Sequence, residues 1–327
     1  MRDRFADWIQ QQWLGTGFWH ALLIPLSWLF RLATACRRQA YACGLLKSYP
    51  SAVPLVVVGN ISVGGAGKTP LVIWLAQQLT QAGFRPGIIS RGYGGKPQGV
   101  RAVDANSAAA VVGDEPLLLF RRSACPVWVG ADRVAACRAL LAAHPECDVL
   151  ISDDGLQHYR MRRDVELVVI DAERKFGNGR LLPAGPLREP VQRLNKVDAL
   201  VYNGGSEDGY AMRLRPGAIT RLSDGKPLPS LKNWQDQTVH AVAGIGNPQR
   251  FFRQLQALGL AVEAHAFPDH HAYVAADLAF AGDAPLLMTE KDAVKCTDFA
   301  RPNWWYLPVE AEVDAALATA VVLKLRK

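Results

Sequence analysis

Short apolar runs alternate with segments of helical period along most of the chain. Leu55 to Val58, Gly87 to Ser90, Val127 to Gly130, Val149 to Ser152, Leu167 to Ile170 and Ala199 to Tyr202 read as strands. They show no polar–apolar alternation, which is the pattern of strands covered on both faces. Thr69 to Gln81, ended by Gly83, and Ala131 to Ala143 carry helical spacing. Strand–helix–strand order predicts a parallel sheet with crossover helices. From about residue 204 to 235 the pattern breaks. Gly, Pro and polar residues dominate there, with alternating pieces such as Met212-Arg213-Leu214-Arg215. This stretch reads as a β-ribbon linker. A second α/β unit follows, with strand Val239 to Ala243, turn Gly244-Ile245-Gly246-Asn247-Pro248 and helix Gln249 to Leu258. Strands Leu286 to Thr289 and Trp304 to Leu307 come next, then a last helix from about 310 to 325.

The amino terminus is different. Trp8 to Phe30 contains no Asp, Glu, Lys or Arg, and its dense apolar part, Ala21 to Phe30, is too short to cross a hydrocarbon core of about 30 Å. Ala33-Thr34-Ala35 looks like a signal cleavage site, but Arg31 interrupts that segment. The pattern predicts an interfacial helix over 1–36. Trp13, Phe18, Trp19, Trp28 and Phe30 would anchor it, and Arg31, Arg37 and Arg38 would meet anionic headgroups. A helix packed on its own domain is the alternative.

The 327 residues, 50% hydrophobic and 20% charged, exclude disordered and fibrous classes and leave room for two α/β domains. The formal net charge is +7, and its distribution adds more. No acidic residue lies between Asp7 and Asp104, whereas Arg31, Arg37, Arg38, Lys47, Lys68, Arg85, Arg91, Lys96 and Arg101 do. Such a stretch suits anionic partners: nucleotide phosphates, acidic lipid headgroups or nucleic acid. The six cysteines form no CxxC pair and show no zinc spacing, as expected for free thiols in a reducing compartment.

Leu55 to Val58 runs into Gly59-Asn60-Ile61-Ser62-Val63-Gly64-Gly65-Ala66-Gly67-Lys68-Thr69, and a helix follows. That is the setting of a phosphate-binding loop. Its glycines let several N–H groups converge on one anion, and the helix N-terminus adds partial positive charge. Ser62, Val63, Gly64, Gly65, Ala66, Gly67, Lys68 and Thr69 are the expected phosphate contacts. Lys68 would reach the β- and γ-phosphates, and the Thr69 hydroxyl would ligate Mg²⁺. Ser62 stands where GxxxxGK[ST] has its first glycine. The weaker Gly244-Ile245-Gly246-Asn247 reads as a structural turn.

Val149 to Ser152 ends in Asp153-Asp154, where a phosphate-loop protein carries its metal-ordering carboxylate, with His158 just beyond. Asp171, at the end of Val168-Val169-Ile170, is a rival. Asp114 and Glu115 open a helix-like stretch, where an N-cap is the ordinary role. Asp269, His270 and His271 cluster in a second-unit loop, a pattern of catalytic loops. Asn195-Lys196-Val197-Asp198 spells a guanine-reading motif but precedes its strand, so it is read as coincidence. Thr289-Glu290-Lys291-Asp292 follows a strand, without a clear role.

Asn60 to Pro70, Gly113-Asp114-Glu115-Pro116, Ser152 to His158, Pro183 to Pro190, Phe267-Pro268-Asp269-His270 and Thr289 to Asp292 occur in this order. In that order, over nearly the whole chain, they resemble the tetraacyldisaccharide 4′-kinases. The resemblance implies a P-loop NTPase-like domain over 37–203, the ribbon over 204–235 and a smaller α/β domain over 236–327. It implies transfer of the ATP γ-phosphate to the 4′-hydroxyl of a tetraacyldisaccharide 1-phosphate, giving lipid IVA in lipid A biosynthesis. It also implies ATP and Mg²⁺ as cofactors, an acylated disaccharide 1-phosphate and an anionic membrane surface as partners, and no nucleic acid. The location implied is the cytoplasmic face of the bacterial inner membrane. By the same resemblance Asp114 is the base assisted by His270, with His271 the adjacent alternative. Lys68 and Arg188 neutralise charge, Asp153 and Asp154 lie at the metal, and Glu115, His158, Glu189 and Asp269 hold further functional positions. The rival reading is a phosphate-loop ATPase or GTPase switch at a membrane, without a lipid acceptor.

Overall fold

The computed structural model describes residues 13, 15, 17–95, 99–205, 208–234 and 237–326. Residues 1–12, 14 and 16 of the expected terminal anchor, including Trp8, and Lys96 of the basic stretch lie outside the described residues, as do the side chains of Phe18 and Trp19. Two sheets organise the rest. The larger has nine strands: β1 (Leu55–Gly59), β2 (Pro86–Ser90), β3 (Arg101–Val103), β4 (Val127–Val129), β5 (Val149–Asp153), β6 (Val165–Asp171), β7 (Ala199–Asn203), β8 (Tyr210–Pro216) and β14 (Val309–Val313). Their spatial order is β14-β8-β7-β6-β1-β5-β2-β4-β3. β1 pairs in parallel with both β5 and β6, which puts it at the centre. Only the outer pairs β3–β4 and β8–β14 are antiparallel.

Both faces are covered, as the unbroken apolar strands require. Val56 and Val58 pack on one side with Leu71 and Leu75 of α2 (Lys68–Gln81), Leu117 of α4 (Asp114–Ser123) and Leu317 and Val321 of α8 (Ala315–Leu325). Leu55 and Val57 pack on the other with Val134 and Leu140 of α5 (Arg133–Ala143). The one-turn α3 (Ala109–Val112) leads into α4. The smaller sheet runs β11-β10-β12-β13-β9, from β9 (Thr220–Arg221), β10 (Thr238–Ala243), β11 (Ala261–Ala266), β12 (Leu286–Thr289) and β13 (Trp304–Leu307). α6 (Pro248–Ala257) and α7 (Glu290–Cys296) flank it.

Four expectations change. The expected helix from about 310 is strand β14, and α8 starts only at Ala315. Val309-Glu310-Ala311-Glu312-Val313 has period two, and its acids face Arg215 and Arg213 of β8 across the ladder. The ribbon partner of β8 is therefore β14, not a segment within 204–235, and β8 itself joins the larger sheet beside β7. The chain end, assigned by sequence to the second unit, returns to the first, where Leu317 and Val321 are buried.

The fourth change concerns the first described helix, α1 (Phe18–Ala42). The Ser27 hydroxyl, buried beneath it, donates to Leu181 O at 2.9 Å and accepts from Ala184 N at 3.0 Å. Phe30 packs against the larger core, and the Trp13 indole N–H donates to Pro183 O at 3.0 Å. These two expected lipid anchors are thus tied to their own chain. Leu22, Leu26, Trp28, Leu29 and Leu32 remain more than half exposed on the opposite side. Among the described residues no helix is long and apolar enough to cross a membrane.

Candidate active site

β1 and α2 hold the phosphate loop between them. Gly67 caps α2 at φ +96°, and a Cβ there would stand 2.7 Å from Asn203 Nδ2. The Asn203 amide donates to Ala66 O at 3.1 Å and fixes the turn from behind. The buried Asn60 ties the loop internally: its amide donates to Gly64 O, and its Oδ1 accepts from Lys68 Nζ, each at 3.3 Å. The 186–188 strip is laced to the same loop through Val63 N to Pro186 O (2.8 Å), Arg188 N to Ile61 O (2.6 Å) and a bridge between Ser62 and Leu187. Gly65 is exposed, Ala66 is buried and Thr69 is half-buried in the first turn of α2.

The two acids at the end of β5 differ sharply. Asp154, at φ +48°, lies 3.5 Å from Lys68 Nζ and 3.2 Å from Arg188 Nη1. Burial alone would raise its pKa, but Lys68 and Arg188 outweigh that and hold it below the usual carboxylate range. Asp153 is buried, with Ser90 Oγ at 3.4 Å from Oδ2 and no partner on Oδ1. Burial, followed by the nearby charges of Glu115 and Asp154, pushes it up to about 7. A buried oxygen ligand with an unpaired lone-pair face is what a hard cation satisfies.

A second cluster joins the two sheets. Asp114 opens α4 behind Gly113 and is 3% exposed. Its carboxylate takes His270 Nδ1 at 2.9 and 3.0 Å. On the other ring nitrogen, Lys291 Nζ stands 3.3 Å from His270 Nε2, and it also reaches Glu115 at 3.0 Å and Asp269 at 3.6 Å. Nδ1–H thus donates to Asp114, and Nε2 faces the Lys291 ammonium. Burial works against ionised Asp114, but the His270 hydrogen bond and the charges of Lys291 and Lys295 lower its pKa below the ordinary value. Burial would likewise lower Lys291, yet Glu115, Asp114 and Asp269 raise it, so it stays cationic. The Arg91-Gly92-Tyr93-Gly94 turn after β2 covers the pair: the Tyr93 ring meets His270 edge-on at 4.9 Å, and a Cβ on Gly94 would stand 2.9 Å from His270 Nδ1.

A profile of the tetraacyldisaccharide-1-P 4′-kinase (LpxK) family matches residues 19–326. The chain belongs to the tetraacyldisaccharide 4′-kinase family. It is 55% identical to the tetraacyldisaccharide 4′-kinase of Methylobacillus flagellatus over 329 aligned positions, covering 100% of this chain and 98% of that one. The corresponding protein of Dechloromonas aromatica is 53% identical, covering 98% of each chain. Among solved structures, LpxK from Aquifex aeolicus in complex with ATP superposes with a TM-score of 0.81 at 28% identity, over 94% of this chain and 100% of that one.

Within this member of the kinase family, the structure brings Lys68, Arg188 and Asp154 together at the loop, and Asp114, Glu115, Asp269 and His270 together across the sheets. His271 pairs instead with Asp277 at 2.9 Å, which separates it from Asp114. Glu189 is buried below the loop, taking Gln157 Nε2 at 2.9 Å, the Tyr159 hydroxyl and Arg193 at 3.5 Å. It braces the strip that carries Arg188. The buried His158 Nε2 has no hydrogen-bond partner; burial, with Arg133 and Arg163 beside it, pushes its pKa down to about 4, so it is neutral. Asp171, the rival strand-end acid, caps the next turn at Glu173 N and Arg174 N, 3.0 Å each. Sequence reasoning missed the Tyr93-Gly94 turn and singled out Thr289-Glu290-Lys291-Asp292 without a role for Lys291. Lys291 follows strand β12 by two residues, and its partners Glu115 and His270 lie 176 and 21 residues away in sequence, so its role became visible only in the fold.

Proposed function

We propose that this kinase transfers the ATP γ-phosphate to the glycolipid 4′-hydroxyl in the cleft between the two sheets, with the following division of roles. The loop from Ser62 to Thr69 cradles the nucleotide phosphates through backbone N–H groups and the N-terminus of α2. Lys68 and Arg188, both poised on Asp154, supply positive charge to the transferring group. Asp154 acts chiefly by aiming these two cations. Asp153 and the Thr69 hydroxyl form the hard-oxygen donor set that fits Mg²⁺, and the orphaned, buried Oδ1 of Asp153 is the observation behind that fit. Mg²⁺ supplies neutralisation of phosphate charge there.

Asp114 and His270 act as one proton-accepting unit for the sugar hydroxyl. A hydroxyl of high pKa needs such help, and a carboxylate held ionised by its neighbours is suited to give it. Lys291 keeps the carboxylate anionic and orients the imidazole. The single observation that carries this reading is the Asp114–His270 hydrogen bond, which joins the two sheets next to Glu115, whose charge is felt by Asp153 on β5, the strand paired with the phosphate loop's β1.

The same reading puts the molecule at an anionic membrane surface on the cytoplasmic face, where the acceptor's acyl chains reside. Leu22, Leu26, Trp28, Leu29 and Leu32 on the outer side of α1 support it, with Arg31 and Arg37 beside them. The test is ADP release with and without tetraacyldisaccharide 1-phosphate in mixed micelles. Release that depends on the acceptor is expected. Equal release in both cases would make the protein a nucleotide switch instead.

A further inference from the structure

Far from the phosphate loop, the outer edge of the smaller sheet carries a second cluster of donors. His240 lies on β10, and Glu263 and His265 lie on the edge strand β11. The parallel register sets His240 opposite Glu263, and His265 follows two residues on, so the three side chains share one face of the sheet. His240 Nδ1 and His265 Nε2 are 3.1 Å apart. The two Glu263 oxygens address one imidazole each, at 3.6 Å from His240 Nδ1 and 3.5 Å from His265 Nε2. Phe280 stacks on His265, with centroids 3.9 Å apart and planes at 27°, and meets His240 edge-on at 5.5 Å, which fixes both rings.

We propose that His240, Glu263 and His265 form a divalent transition-metal site of the zinc class, with its fourth position open to water. The argument is geometric and chemical. In a tetrahedral site with zinc–donor distances of about 2.0–2.1 Å, neighbouring donors stand about 3.3–3.4 Å apart. The two ring nitrogens stand 3.1 Å apart, and each has one Glu263 oxygen at 3.5–3.6 Å, all close to that value. One donor atom from each of the three residues lies within 4.8 Å of the other two, so a small rotation of the exposed carboxylate brings a single oxygen to a shared ion. Two imidazoles and one carboxylate favour zinc, nickel or copper over magnesium or calcium, which take oxygen ligands. The two His side chains are largely shielded while Glu263 is 56% exposed, which leaves an entry path. The site is separate from Asp153 and Thr69, and it draws on none of the groups assigned to phosphoryl transfer.

A metal here clips the edge strand β11 to β10. β11 is outermost in its sheet and otherwise pairs on one side only. A cross-strand clip holds such an edge strand in register against its neighbour.

The test uses the full-length protein, stripped with a chelator and titrated with ZnCl₂ without nucleotide or Mg²⁺. One equivalent is expected to bind with a micromolar Kd and to raise Tm by several degrees. Co²⁺ is expected to give the d–d absorption of a four-coordinate nitrogen–oxygen site. Glu263→Gln, an exposed change that leaves the fold intact by circular dichroism, should weaken Zn²⁺ binding at least tenfold. His240→Gln/His265→Gln should abolish it and the Co²⁺ bands, with kinase turnover unchanged in either variant. Absence of saturable one-equivalent binding, equal affinity in the folded Glu263→Gln and double-His variants, or displacement of the zinc by Mg·ATP would each overturn the proposal.

Discussion

Asp153 and Lys291 show how single side chains at this site hold energy against the fold. Asp153 is buried with one oxygen unpaired, and its pKa is raised. A carboxylate with a raised folded pKa costs stability as pH climbs from its unfolded value to its folded one, and the cost persists above about 7. Asp153→Asn is therefore expected to raise the Tm of the metal-free protein by a few degrees at pH 8, with little change near pH 4, while abolishing Mg·ATP turnover. Calorimetry at the two pH values checks it; a lower Tm at pH 8 would contradict it. Lys291 works in the opposite sense on Asp114, whose pKa is depressed partly by the Lys291 charge. Lys291→Met removes a lowering influence, so the Asp114 pKa rises. The acid limb of the kcat/KM profile should then move to higher pH, and kcat should fall on the order of 10²-fold, the scale of a positioned acid–base group. A profile unmoved on its acid side would remove Lys291 from the proton-transfer unit.

At the scale of elements, α1 is built with two unlike sides. Ser27 and Phe30 lock one side to the 181–184 turn and the larger core, whereas Leu22, Leu26 and Leu29 recur at helical spacing on the other. Replacing those three leucines with serine should cut binding to anionic vesicles at least tenfold while leaving Tm within about 2 °C, because exposed residues contribute little to folding. Cosedimentation and a melt settle it; undiminished binding would refute the membrane role of this face. Most elements were legible because buried parallel strands read as unbroken apolar runs and α2 has glycine at both ends. β14 was not. Its five residues run directly into the alanine-rich α8, and local helical composition masked an alternation whose meaning depends on Arg213 and Arg215, about a hundred residues earlier. β11 was missed because Glu263 and His265 interrupt its apolar character; their shared face, together with His240, makes the proposed metal site.

At the scale of the whole molecule, the two sheets each carry half of the proposed acceptor-activating unit. Asp114 belongs to a helix of the larger sheet and His270 to a loop of the smaller one, and Arg122 of α4 binds Glu290 of α7 at 2.6 Å to hold the halves together. The phosphate loop could be read from sequence because its residues are contiguous. The pairing of Asp114 with His270, of Lys291 with both, and of Arg188 with Asp154 is non-local. The resemblance to the kinase family gave the first of these; it marked Arg188, Asp154 and the Thr289 to Asp292 motif without saying what they pair with. The whole account rests on one claim, that the cross-sheet pair activates the sugar hydroxyl beside the phosphate loop. The most direct measurement is single-turnover transfer of γ-³²P from ATP to tetraacyldisaccharide 1-phosphate by wild type and Asp114→Asn, with ATP affinity measured in parallel. The account predicts a rate lowered by about 10²–10⁴-fold with the Kd for Mg·ATP changed by less than about twofold, the loop being untouched. Transfer at the wild-type rate by a folded Asp114→Asn protein would contradict it.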